Sequence, residues 1–140
     1  MTRYFHLIIG LLLVSSSPAF ADEFDKSVPI LCAMSKYYEC DIRECEEVSA
    51  DEIQAPTFFR VNAKKKTIQA IAGAKGKVSR IDEIEIVDDV ILAVGVEDGA
   101  RGDRDGVGYS LAITIDTGNL AFSAVTDDVA ITGFGACIRD

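Results

Sequence analysis

Apolar and polar residues alternate with a period of two along much of this chain, most regularly over residues 109–125. Tyr109, Leu111, Ile113 and Ile115 alternate there with Ser110, Ala112, Thr114 and Asp116, the pattern of a half-buried β-strand. Asp116-Thr117-Gly118-Asn119 then supplies a turn. Asp116 can bond its own backbone, and Gly118 can take the positive φ that a type I turn with a following bulge requires. Leu120, Phe122 and Ala124 continue on one face of a return strand. The stretch predicts an antiparallel hairpin.

The remaining segments repeat the theme at shorter length. Residues 31–40 fit either a strand, with Cys32, Met34, Tyr38 and Cys40 on one face, or a short helix capped by Ser27 with Pro29 in its first turn. The aromatic pair Tyr37-Tyr38 and the close spacing of Cys40 and Cys45 favour the strand. Ser49-Ala50-Asp51-Glu52 has the capping-box pattern and predicts one helical turn over residues 50–54, ended by Pro56. Strands are expected over 57–62 and 67–71 around a charged turn at 63–66. Two shorter ones follow at 78–81 and 83–87, with Ile84 and Ile86 inward and Glu83 and Glu85 outward. Asp88-Asp89 turns the chain into 90–96, residues 97–106 form a long polar loop, and Asp127-Asp128 leads into a last strand at 129–138. Gly133 and Gly135 in that strand mark a bend or bulge of the kind found at barrel corners. Eight or nine short strands with turn residues between them predict an all-β domain. It is expected to be a small antiparallel meander, closed or partly closed into a barrel or folded as a sandwich. Pairing of the first and last strands would hide the sheet edges.

Residues 1–21 stand outside this pattern. Arg3 precedes an apolar run over residues 5–14, a break at residues 15–18, and the small-x-small sequence Ala19-Phe20-Ala21. These are the parts of a secretory signal peptide cleaved after Ala21. The run is shorter than the roughly 20 residues a spanning helix needs, so no membrane anchor is expected after cleavage. Residues 22–140 remain, enough for one domain with a real core. Loss of Arg3 takes the formal net charge from −9 to −10. That balance argues against nucleic acid and anionic membranes, which call for Lys and Arg clusters, and it suits a basic partner.

All four cysteines lie beyond the leader, and an even count in an exported chain implies two disulfides and a periplasmic or secreted location. Of the three pairings, Cys32–Cys137 with Cys40–Cys45 is favoured: one bridge ties the first element to the last and the other closes a short hairpin. Zinc is the alternative, but the cysteines lack the close pairing of usual zinc sites.

Candidate chemistry is narrowed by an absence. His6, the single histidine, belongs to the leader, so Ser-His-Asp and Cys-His catalysis and histidine-ligated metals are excluded from the mature chain. Gly108-Tyr109-Ser110-Leu111-Ala112 resembles a nucleophile elbow, but Ser110 lies early in an alternating strand with no base to activate it. Residues 73–77, with two glycines and two lysines, lack phosphate-loop spacing. Within 97–106, Arg101-Gly102-Asp103 is an adhesion tripeptide that a Gly/Asp-rich loop produces readily by chance. Asp103 and Asp105, near Glu97 and Asp98, offer calcium oxygens without the EF-hand pattern. No catalytic, metal or cofactor site is assigned. Tyr37, Tyr38, Phe58, Phe59 and Phe122 are candidates for a pocket, although aromatics at strand spacing are more often core. The lining expected is Tyr38, Phe58, Tyr109, Phe122 and Phe134.

The spacing of Cys32, Cys40 and Cys45, Pro56-Thr57-Phe58-Phe59-Arg60-Val61-Asn62, Tyr109-Ser110-Leu111-Ala112-Ile113 with Thr117-Gly118, and Phe134-Gly135-Ala136-Cys137 resembles a group of small exported bacterial proteins that carry no assigned activity. The resemblance transfers no functional residue. In strand spacing the chain is also similar to ligand-holding barrels of the calycin type, although it has no tryptophan and hence no Gly-x-Trp opening. The function expected is non-enzymatic binding of a small molecule or lipid inside the barrel. The alternative is a protein-binding module, an inhibitor or accessory subunit of an exported enzyme, acting through its loops near residues 97–106.

Overall fold

The structure, a computed structural model, describes residues 27–73, 76–97 and 106–140. The leader and most of the 97–106 loop, with its Arg-Gly-Asp and calcium candidates, lie outside the described residues, as do Ala74 and Lys75 of the 73–77 loop. The described residues form ten strands and no helix: β1 (Ile30–Cys40), β2 (Cys45–Val48), β3 (Phe58–Asn62), β4 (Thr67–Ala72), β5 (Val78–Arg80), β6 (Glu83–Val87), β7 (Val90–Glu97), β8 (Val107–Thr114), β9 (Asn119–Val125) and β10 (Ala130–Arg139). They make one antiparallel sheet in the order β5-β4-β3-β1-β10-β9-β8-β7-β6, with β2 paired to the far half of β1. The sheet curls into a half-barrel.

The 109–125 hairpin forms as β8 and β9. Gly118 has φ 70° and donates its N–H to the Thr114 carbonyl at 2.8 Å. Its own carbonyl accepts the Cys137 N–H at 2.7 Å, docking the turn on β10. A Cβ at Gly118 would lie 2.2 Å from the Cys137 carbonyl oxygen, so both the conformation and the contact demand glycine. Asp88 and Asp89, at φ 47° and 64°, make the two-residue β6–β7 turn in the left-handed pair of conformations that suits a twisted hairpin.

Residues 31–40 form a strand, but not with a single alternating face. The register of β1 against β10 shifts between Met34 and Lys36, leaving Ser35 as an extra residue. Cys32 points inward and so does Tyr37, which is buried, while Tyr38 is turned outward against Phe134 with ring centroids 6.3 Å apart. The glycines of β10 sit across from this bulge. A Cβ on Gly135 would fall 2.1 Å from the Ala33 carbonyl oxygen, and one on Gly133 would strike Met34 and the Tyr37 ring. They mark the irregularity, but the partner strand carries it.

Both disulfides form as favoured, each between residues directly opposite in a ladder: Cys32–Cys137 across β1 and β10, and Cys40–Cys45 across β1 and β2. The β1–β10 pairing is not where the sheet would close, however. The free edges are β5 and β6, strands joined by only Ile81 and Asp82. Ile81 is fully buried at this corner and donates its N–H to the Lys66 carbonyl at 2.9 Å. Asp82 donates its N–H to Val94 at 2.9 Å, and its carboxylate accepts the Val96 N–H at 3.1 Å. No ladder runs between β5 and β6, so the barrel expected from the strand count is half-formed. As the edge strand, β6 leaves Ile86 exposed rather than inward.

The helical turn expected over 50–54 is also corrected. The capping box does form: Ser49 N–H donates to Glu52 Oε2 at 2.8 Å and Glu52 N–H to Ser49 Oγ at 3.3 Å. Gln54 then enters the left-handed region at φ 51°, and the segment ends as a hydrogen-bonded turn before a helix can propagate. Ile30, Val61, Ile91, Leu111, Ile113 and Leu120 pack with Cys32, Cys137 and Ile81 as the core inside the curl.

Candidate functional site

Beyond this core, towards the start of β8 and the end of β9, the half-barrel holds a cavity of about 220 Å³. Its walls come from the inward positions of the strands. Phe59 of β3, Ala70 of β4, Leu111 of β8, Phe122 and Ala124 of β9 and Ile131 of β10 all border it. The 53–56 stretch of the capped turn lines it as well, with Ile53 and Pro56 supplying apolar surface. That stretch is tied down on two sides. The Tyr37 hydroxyl donates to the Pro56 carbonyl at 2.7 Å, and Thr57 N–H donates to the Ala72 carbonyl at 3.0 Å.

Two phenols define the polar character of the wall. Tyr37 and Tyr109 both line the cavity, and each hydroxyl is already spent on a backbone carbonyl, Tyr37 on Pro56 and Tyr109 on Arg80. Burial pushes the Tyr37 hydroxyl up to about 12. Burial does the same to Tyr109, also to about 12, helped by the negative charges of Glu97 and Asp82. Both therefore stay neutral at ordinary pH and present ring faces to the cavity. At the margin, Lys77 ahead of β5 and Glu97 at the end of β7 form an ion pair across the gap between β5 and β7. Among the described residues no buried side-chain N or O lacks a partner, and no group of three or more Cys, Asp or Glu is arranged to hold a metal.

Of the residues expected to line a pocket, Tyr109 and Phe122 are brought together here. Tyr38, Phe58 and Phe134 are not: Phe58 and Phe134 are about half exposed, and Tyr38 packs on Phe134. Their neighbours Tyr37 and Phe59 take the inward places. The extra residue at Ser35 inverts the alternation in β1, and the register of β3 against β4 shifts between Phe58 and Phe59. Ser110, the serine of the elbow-like sequence, lies exposed on the outer side of β8, opposite Val94. That Ile53 and Pro56 line the cavity is not legible in the sequence. Its one signal was the capping box, which locates a turn but not what the turn covers.

The chain matches no protein-family model, no curated protein and no solved structure. What the site can do thus follows from its chemistry. Among the described residues it is a largely apolar hollow whose two tyrosine hydroxyls are hydrogen-bonded, with the Lys77–Glu97 ion pair at its margin. It can take up apolar surface.

Proposed function

We propose that this is an exported, non-catalytic protein that binds a small apolar ligand inside the half-barrel. It would carry a cleaved leader at residues 1–21 and work in the periplasm or outside the cell, alongside the small exported proteins it resembles. Two disulfides point the same way, since they persist in oxidising, non-cytoplasmic settings. The observation that carries the reading is the cavity, walled by Tyr37, Phe59, Tyr109, Leu111 and Phe122. Its volume selects the ligand class. An apolar cavity of about 150 Å³ takes a benzene, and drug-sized ligands need roughly 300 Å³ or more. A volume of about 220 Å³ fits one or two fused rings or a short acyl chain, not a whole lipid.

The test is an NMR titration of the disulfide-intact mature protein with naphthalene and with octanol. Binding with a Kd of roughly 0.1–1 mM is expected for ligands of this size, with shifts concentrated on Tyr37, Phe59, Tyr109 and Phe122. Ala124→Phe, which fills the cavity from β9, should weaken binding at least tenfold, and Ala70→Leu should do so from β4. Absence of binding to the wild type, or binding that both filled variants retain while folded, overturns the reading.

A further inference from the structure

The outer side of the sheet carries a second unusual feature. An antiparallel sheet packed on one face normally alternates apolar-in with polar-out. Strand β7 does not, and β9 and β10 break the rule at single positions. Leu92, Val94 and Val96 of β7, Val125 of β9, and Phe134 and Ile138 of β10 all point outward and are exposed, Val96 and Ile138 by about two-thirds. The registers place only small uncharged residues between them: Ala112 and Ala121 link Leu92 to Phe134, and Ser110, Ser123 and Thr132 run out from Val94. Among the described residues no charged side chain interrupts this face between Glu83 and Glu85 on β6 and Lys36 on β1. Strand spacing and rise make it roughly 20 Å by 20 Å, about 400 Å². Two apolar rows flank the Ser110–Ser123–Thr132 row within it, and exposed apolar patches on monomers often mark interaction sites.

Its margin is acidic. Glu83 and Glu85 stand directly beside Val94 and Leu92, Asp88-Asp89 and Asp116 occupy turns at one end of the strands, and Asp127-Asp128 the turn at the other. Among the described residues none of these carboxylates has an ion-pair partner. Among the described residues, Lys36 and Arg60, which border the face, are already paired, Lys36 with Glu47 at 3.0 Å and Arg60 with Asp140 at 2.5 Å.

This margin decides what fits. A stable interface buries about 800 Å² on each side, so the apolar face alone is about half of one and the rim must take part. A second copy is disfavoured by symmetry. A two-fold axis across the strands sets Glu83 and Glu85 over their own copies, and an axis along them lays these residues over β1 of the copy, where Lys36 is already paired with Glu47. Neither arrangement brings these carboxylates an unpaired cation among the described residues. Anionic membranes and nucleic acids are repelled for the same reason. We infer that the outer face of β7–β10 is a docking surface for a protein with a flat apolar centre rimmed by lysine or arginine. This inference does not depend on the cavity, which lies on the opposite side of the sheet.

The experiment uses two β-hairpin peptides as probes, identical in an alternating Val/Phe face but carrying lysine or glutamate along their margins. Labelled mature protein is titrated with each and followed by NMR. The lysine-rimmed hairpin is expected to bind, to shift amides of β7–β10 rather than cavity residues, and to lose about tenfold in affinity between ~0.05 and ~0.5 M salt as the rim is screened. The glutamate-rimmed hairpin should not bind. Leu92→Ser with Val94→Ser, at exposed positions outside the core, should cost at least tenfold in affinity. Glu83→Lys with Glu85→Lys should reverse the preference between hairpins. No binding by either hairpin, equal binding of both, shifts confined to the cavity, or self-association through this face in sedimentation would each overturn the inference.

Discussion

A single residue, Ser35, decides which of Tyr37 and Tyr38 faces the cavity. As the extra residue in β1 it inverts the alternation, so Tyr37 is buried while Tyr38 turns outward. Tyr37 and Tyr109 then share a property that can be measured. Burial raises both hydroxyls from an ordinary value near 10 to about 12. The unfolded chain releases these two protons first as pH rises. Stability is therefore unaffected by them below about pH 10 and falls between about 10 and 12. An ultraviolet titration of tyrosinate should show two groups ionising near 12 in the folded protein, and urea midpoints should drop over the same interval. Ionisation of both with ordinary tyrosines would show that the rings are not held in the wall as described.

At the scale of elements, the two disulfides do unequal work although both are directly cross-strand with Cα atoms 4.0 Å apart. The bridge across β1 and β10 spans 105 residues and lies in the core; the one across β1 and β2 spans 5 and lies in a hairpin whose Cys45 is exposed. Chain-entropy reasoning assigns about 4–5 kcal/mol to the first and about 2 kcal/mol to the second. Urea unfolding of Cys32→Ala/Cys137→Ala against Cys40→Ala/Cys45→Ala should reproduce that order. A reversed order would mean the short hairpin steadies more of the fold than its own loop. The favoured pairing was legible because the spacing is so uneven. The capping box of Ser49 and Glu52 was legible too, but the helix it implied was not realised. Gln54 leaves the helical region and Pro56 follows two residues later, so too few residues remain for a nucleus to propagate.

For the whole molecule, the weak line is the corner between β5 and β6. Every other consecutive pair of strands around the curl shares a ladder, with β1 and β10 joining the ends, whereas here Ile81 and Asp82 hold the edges through separate hydrogen bonds and the Tyr109 and Lys77–Glu97 contacts. Few backbone bonds and exposed edges give low local stability. Amide exchange should be fastest in β5 and β6 and slowest in β1, β8, β9 and β10. Equal protection across the corner would indicate a closed barrel instead.

The sequence by itself determined the class of fold, the turns and most strand positions, because alternation and the Gly and Asp turn residues act over a few neighbouring positions. The hairpin at Asp116–Asn119 and the Asp88-Asp89 turn needed no tertiary partner to be read. It also determined that imidazole chemistry is absent beyond His6. Tertiary structure alone decided where the sheet leaves its edges, which of each aromatic pair faces inward, and that the 53–56 turn lies against the cavity. One unpaired residue in a strand reverses every side chain beyond it, and such a residue is set by the register of distant partners, here by Met34 against Gly135 and by Tyr37 against Gly133. The acidic margin around the outer face has the same origin. Its carboxylates lie in turns and strands far apart in the chain, and only the curl of the sheet gathers them around Leu92 and Phe134.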